Sequence, residues 1–206
     1  MTTYYRQRTL AKPVSVSGKG VHSGKITNLT VHPAPENHGI KFRRVDLPGT
    51  ADIQALFKHV VDTSLATVLG SEGAIVSTIE HLMASFAGLG IDNALVEIDE
   101  YEIPIMDGSA RVFANIIEGA GIVRQQAPKH VFIVREPVRV EAQDKWVEVR
   151  PGACFKITCK IDFSHPLIGI QELTFDRAKN HFAREISTAR TFGFIQDIEL
   201  LKKFSL

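Results

Sequence analysis

The stretch STIEHLMASFAGLGIDNALVEI, from Ser77 to Ile98, decides the fold because its hydrophobic period changes partway. Ile79, Leu82, Met83 and Phe86 recur at i, i+3, i+4 and i+7, which is one face of an amphipathic helix. Gly88 and Gly90 stop it, as glycine does at helix ends. NALVEI then reads as a strand. The same stretch sets a glutamate beside a histidine, Glu80-His81, at the start of the helix. A zinc-hydrolase helix of the H-E-x-x-H kind carries its second histidine one turn on, but Ser85 occupies the position four after His81.

Two readings of that pair are open. Ser77-x-x-Glu80 has the spacing of a capping box, with Ser77 as N-cap and Glu80 at N3. His81, at ~100° per residue, lies almost opposite the apolar stripe and is not a core histidine of this helix. Its face continues through Ala84, Ser85 and Gly88, all small enough to let another layer come close. That suits a histidine facing a cleft, and equally an exposed one. One histidine cannot hold a catalytic zinc, which takes three protein ligands.

Working outward, TLAKPVSVSG, KITNLTVHPAP and GIKFRRVDL read as strands among turn-forming glycines and prolines, and SLATVLG as another. Beyond NALVEI, GSARVFANIIEGAG predicts a second helix with Val112, Phe113, Ile116, Ile117 and Ala120 inward. The polar RQQAPK, residues 124–129, marks a domain boundary, with a first domain over 1–127 and a second over 128–206. Strands resume in HVFIVREPVRVEA, KWVEVRP, ACFKITCKIDF and QELTF, followed by a helix over DRAKNHFAREIS. Both halves run from strands into a helix. The expected fold class is therefore α+β: two related two-layer units of sheet on helix, the second incomplete in this chain.

The bulk numbers narrow the function classes. The 206 residues are 44% hydrophobic, enough for a buried core, and 24 Lys and Arg nearly cancel 23 Asp and Glu. Nothing in that balance predicts a nucleic-acid partner. No window approaches a membrane span and the N-terminus has no apolar signal-peptide core. Cys154 and Cys159, five apart on one strand, point to opposite faces. They predict neither a disulfide nor a shared metal, and unpaired thiols suit a reducing compartment. A cytoplasmic protein is expected; the oligomeric state is not legible.

Four longer strings occur in an informative order: GVHSGK (20–25), STIEHLMASFAGLGIDN (77–93), EIPIMDGSA (102–110) and ISTARTFGF (186–194). With them the sequence closely resembles the UDP-3-O-acyl-N-acetylglucosamine deacetylases, the zinc amidases of lipid A biosynthesis, over nearly its whole length. The resemblance implies two domains, each a sheet packed on helices. It makes His81 the first ligand of a Zn²⁺ cofactor and Glu80 the general base. Thr191, in A-R-T-F-G-F, becomes a hydroxyl donor to the tetrahedral oxygen, where residues alone suggest a turn or cap hydroxyl. Phe192, Phe194 and Ile198 map to the insert that forms the acyl passage, although alternating aromatics also read as core. Ser64, Leu65 and Ala66 fall in a stretch that lines the site on the acyl side. Lys145 would face the diphosphate of the sugar nucleotide, or be a solvated turn lysine, and Asp162 with Phe163 the uridine. His22 would approach the zinc cleft, and Asp107 reads as a turn and helix-start residue.

The family's remaining zinc ligands sit in an H-K-x-x-D segment that does not occur here before Leu206. The resemblance thus implies the first domain and part of the second, with no turnover expected of these 206 residues alone. The competing expectation is a non-catalytic module that binds the sugar nucleotide or a partner.

Overall fold

A computed structural model describes residues 6–195. Along the chain run β1 (Arg6–Leu10), β2 (Val14–Lys19), β3 (Ile26–Pro33), β4 (Ile40–Arg44), β5 (Ile53–Gln54), β6 (Val60–Asp62), β7 (Val68–Ser71) and β8 (Ala74–Val76). Helix α1 (Glu80–Leu89), β9 (Ala94–Ile98), helix α2 (Arg111–Ala120) and β10 (Ile122–Pro128) follow. The hairpins β11 (Val138–Ala142) with β12 (Lys145–Val149) and β13 (Lys156–Phe163) with β14 (Gly169–Asp176) come last. The class is α+β, as expected. The described residues group into two compact units, His130–Phe182 and the remainder.

In the larger unit a five-stranded sheet runs in the order β2-β3-β9-β4-β5, antiparallel except where β4 lies parallel to β9. A parallel pair needs a crossover, and the chain between β4 and β9 contains α1. Alternation along β3 sends Thr27, Leu29 and Val31 inward and leaves Asn28 exposed, as the period-2 pattern requires. One core joins Leu29, Val31, Phe42, Val96 and Ile98 of the sheet to Leu82 and Phe86 of α1 and to Phe113 and Ile117 of α2. The stripe read from the sequence is the buried face of α1. Gly90, at φ 74°, caps it, with the Ile91 N–H donating to the Phe86 carbonyl at 2.8 Å. Gly88 lies inside the helix.

Three readings of local structure are corrected. The polar stretch at 124–129 is largely strand: β10 pairs antiparallel with β1. Its polarity is absorbed by amides, Asn93 Nδ2 donating to Gln125 Oε1 at 2.7 Å and Gln125 Nε2 to the Ala34 carbonyl at 2.9 Å. The helix expected over DRAKNHFAREIS shrinks to one π-helical turn, Phe182–Ile186. Asp176 and Asn180 explain this. The Asp176 carboxylate accepts the Ala178 N–H, and the Asp176 N–H donates to Asn180 Oδ1. Such side-chain bonds favour a turn over a helix. In the stretch HVFIVREPVRVEA only Val138–Ala142 forms strand; residues 130–134 are irregular, and Phe132 is fully exposed.

The smaller unit consists of the two hairpins, β11 with β12 and β13 with β14. Val138, Val140, Trp146 and Val147 of the first, and Ile157, Ile170 and Leu173 of the second, are exposed. Cys154 and Cys159 are free. No helix among the described residues is long and apolar enough to cross a membrane.

Candidate active site

The start of α1 is not capped as the spacing suggested. The Ser77 N–H donates to the Tyr101 carbonyl at 2.7 Å, and the Ile103 N–H donates to the Ser77 carbonyl at 3.0 Å. This bridge holds Ser77 in extended backbone before the helix begins. Ile79 takes the N-cap position with no side-chain hydrogen bond, and Glu80 is the first helical residue. The Ser77 hydroxyl lies 3.3 Å from that of Thr78. The capping box is therefore absent: a long-range bridge outweighs what one cap is worth, ~1 kcal/mol.

Freed from a cap, the Glu80 carboxylate faces another segment. The Thr67 N–H donates to its Oε2 at 3.2 Å. This bond brings the chain after Ser64, Leu65 and Ala66 against Glu80. Within that segment Ala66 is buried, Leu65 is largely exposed, and Ser64 donates through its hydroxyl to Asp62 at 2.7 Å. The Ser64 hydroxyl and N–H hold the Asp62 carboxyl below its ordinary range. The segment bends, and strand begins only at Val68.

His81 is half-buried, and its ring has no hydrogen bond among the described residues. One turn on, the Ser85 hydroxyl lies 3.0 Å from the His81 carbonyl and 2.9 Å from the Ala110 carbonyl. Ser85 is wholly buried. The layer that closes on this small-residue face is the entry to α2. That entry is ordered by Asp107, which accepts the Ser109 hydroxyl at 2.7 Å and an Arg111 N–H at 2.9 Å. These bonds, the Ser109 hydroxyl first, keep the Asp107 carboxyl below its usual range. Thr191 reaches the same loop: its N–H donates to the Gly108 carbonyl at 2.9 Å, beside a bridge between Ser109 and Arg190.

Phe192 and Phe194 form an edge-to-face pair with centroids 6.0 Å apart, in irregular rather than strand backbone. Ile198 lies outside the described residues. Lys145, Asp162 and Phe163 belong to the smaller unit. Lys145 opens β12 opposite Ala142, and Asp162 and Phe163 end β13 with Asp162 exposed. The structure thus groups Glu80, His81 and the 64–67 segment, and attaches Thr191 to the loop packed on α1.

Sequence reasoning missed Glu102. It is fully buried, and its carboxylate accepts the N–H groups of His22 at 2.9 Å and Ser23 at 2.7 Å, with the Thr78 hydroxyl at 3.2 Å. Burial alone would raise its pKa. The His22 N–H and the hydroxyl and N–H of Ser23 outweigh that and hold it below the ordinary carboxylate value. The signal was a charge in an apolar run, YEIPI, since a charged side chain is rarely fully buried unless partnered. His22, held by that carboxylate through its backbone, keeps Nδ1 buried with no hydrogen-bond partner among the described residues.

Among the described residues no three His, Cys, Asp or Glu side chains gather to hold a metal. His81 fits zinc in kind, as an open imidazole beside a carboxylate, and not in number.

A family model described as LpxC, UDP-3-O-acyl N-acetylglycosamine deacetylase, matches residues 7–206. Curated relatives named UDP-3-O-acyl-N-acetylglucosamine deacetylase are similar to the chain over 98% of its length. One from Myxococcus xanthus is 52% identical over 202 residues, one from Idiomarina loihiensis 49% over 204 and one from Acidithiobacillus ferrooxidans 46% over 203, likewise across 98% of the chain. The chain spans 64% of the length of the first and 67% of the other two.

Proposed function

The chain belongs to the UDP-3-O-acyl N-acetylglycosamine deacetylase family, and from that premise we propose that it carries the general base and one metal ligand of a zinc-dependent amide hydrolase. The substrate is UDP-3-O-acyl-N-acetylglucosamine, the bond cleaved is that of the 2-acetamido group, acetate leaves, and the product serves lipid A biosynthesis. The observation that carries this reading is the first turn of α1. Glu80 is held there by the Thr67 N–H, and the neighbouring His81 ring is left open.

His81 would hold zinc through a ring nitrogen, its partners coming from outside the described residues. Bound zinc supplies a Lewis acid that lowers the pKa of a water towards ~7. Glu80 accepts the proton of the attacking water as general base. Thr191 donates its hydroxyl to the oxygen that becomes negative in the tetrahedral state. Ser64, Leu65 and Ala66 contact the acyl end of the substrate. Phe192, Phe194 and Ile198 line the acyl passage, for which the edge-to-face Phe192–Phe194 pair offers a rigid apolar wall. Lys145 meets the diphosphate, and Asp162 with Phe163 the uridine.

Residues 1–127 and 128–206 are read as two α+β domains; the grouping of the described residues into His130–Phe182 and the remainder supports a division near that point. The free thiols support a cytoplasmic setting. Among the described residues too few zinc ligands gather for turnover.

The test is acetate release from the sugar nucleotide by the full-length protein, before and after removal of zinc and after its return. Activity that follows the metal supports the proposal. A zinc-loaded, full-length protein that binds the sugar nucleotide and releases no acetate would establish the binding-module reading instead.

A further inference from the structure

We propose that Glu102 is the positioning residue of the Glu80–His81 pair, acting through Thr78; this rests on the reading of Glu80 as the base. Thr78 stands two residues before Glu80 with φ at 60°. A β-branched residue is a genuine outlier there, so the surrounding structure must impose the angle. What imposes it is visible on both sides. The bridge from Ser77 to Glu102 fixes the backbone just upstream, and the Thr78 hydroxyl donates to the Glu102 carboxylate. Directly afterwards the chain turns into α1, whose start has no side-chain cap. The direction in which Glu80 and His81 leave the sheet is therefore set at Thr78.

The same carboxylate fixes the turn that carries His22. Its two oxygens accept the His22 and Ser23 N–H groups, and charge-assisted bonds of this kind are the strong ones. The packing leaves it little freedom to move. A Cβ at position 20 would sit 2.2 Å from Glu102 Oε2 and 2.3 Å from Ser23 Oγ, so Gly20 is the space the carboxylate occupies. One buried charge thus joins the 20–23 turn, the strained residue before α1 and, through Glu80, the Thr67 amide.

That last link gives a readout that Glu102 does not touch. The Thr67 N–H is bonded to Glu80 Oε2, so its hydrogen-exchange protection reports where Glu80 is held. The experiment compares amide exchange and kinetics in the full-length, zinc-loaded protein with those of its Glu102→Gln and Thr78→Val variants. In Glu102→Gln an amide group would confront the Ser23 N–H. Exchange at His22, Ser23 and Thr67 is expected to quicken about 10-fold, the Met83 amide inside α1 changing less than twofold. A loss of about 10-fold in kcat, at the low end for groups that orient a catalytic site, should accompany it with KM within twofold. Thr78→Val keeps the carboxylate and removes only the hydroxyl. It should quicken exchange at Thr67 and leave His22 and Ser23 protected, and it decides the question if Glu102→Gln does not fold. Unchanged protection at Thr67 in the variants that fold overturns the proposal. Lost protection at Thr67 with unchanged kcat would keep Glu102 as the residue that places Glu80 and refute Glu80 as the base.

Discussion

Replacing Glu80 with glutamine separates chemistry from stability at the first turn of α1. Among the described residues the carboxylate makes one hydrogen bond, from the Thr67 N–H at 3.2 Å, at the long end of the normal range. Glutamine keeps an oxygen that can accept it. The change is then from a charged to a neutral acceptor, roughly 1.5–3 against 0.5–1.5 kcal/mol. For a long bond on a half-buried group the low ends apply, so the loss is about 1 kcal/mol, a few degrees at most in Tm. What glutamine cannot do is accept a proton from water. Losing a positioned base costs about 10²–10⁴ in kcat, or ~2.7–5.4 kcal/mol at 1.36 per tenfold. The assay is acetate release by the full-length Glu80→Gln protein at matched zinc content, beside thermal unfolding. Ser77→Ala is the control: with no cap to break it should cost less than ~1 kcal/mol and keep turnover. Near-normal kcat in Glu80→Gln would refute the assignment of the base. A Tm collapse with kcat per folded molecule preserved would make Glu80 a structural residue.

Phe194→Ala in the full-length protein should lower kcat/KM for a long-acyl substrate more than for a short-acyl analogue, by no more than the ~1.5–3 kcal/mol of a whole apolar side chain; equal losses would make Phe194 scaffold. Phe113→Ala, at a fully buried position of α2, should cost about 3–5 kcal/mol in denaturant unfolding, and a loss below 1 would place the core elsewhere. Asp46 is held below its ordinary value of 3.8, chiefly by its hydrogen bond to the Arg44 guanidinium. A carboxyl depressed on folding contributes stability that is present above the unfolded pKa and lost as pH falls through the folded one. The stability gap between wild type and Arg44→Met should therefore be full at pH 7 and narrow below pH 3.8, followed by urea midpoints. A constant gap would assign the effect to the Arg44 bond with the Ile75 carbonyl.

What the sequence disclosed, and what it hid, divides along one physical line. Features set by local periodicity were legible. The stripe of Leu82 and Phe86, the αL cap at Gly90, the alternation of β3 and the inward face of α2 each follow from which side chains must leave water. Features set by long-range polar pairing were not. β10 looked like a domain boundary because a strand whose Gln125 is satisfied by Asn93 and Ala34 is as polar as a loop. The helix after β14 failed where Asp176 and Asn180 gave the backbone better partners than a helix would.

The capping box failed in the most instructive way. Ser77 and Glu80 have the right identities and spacing, and either alone could serve. A cap, however, is a local contribution near 1 kcal/mol, while Ser77 is committed to two backbone bonds with the 101–103 segment that no local rule can anticipate. Once Ser77 is drawn into that bridge, Glu80 moves from N3 to the first position of α1, and its carboxylate turns outward to the 64–67 segment. The residues that commit Ser77 to the bridge, Tyr101 and Ile103, flank Glu102, and Glu102 itself takes the Thr78 hydroxyl. The feature that broke the local rule and the feature that aims Glu80 at the Thr67 amide are therefore one arrangement. A glutamate held at a helix start by its own cap would have spent its bonding there; here one oxygen accepts the Thr67 N–H at 3.2 Å instead.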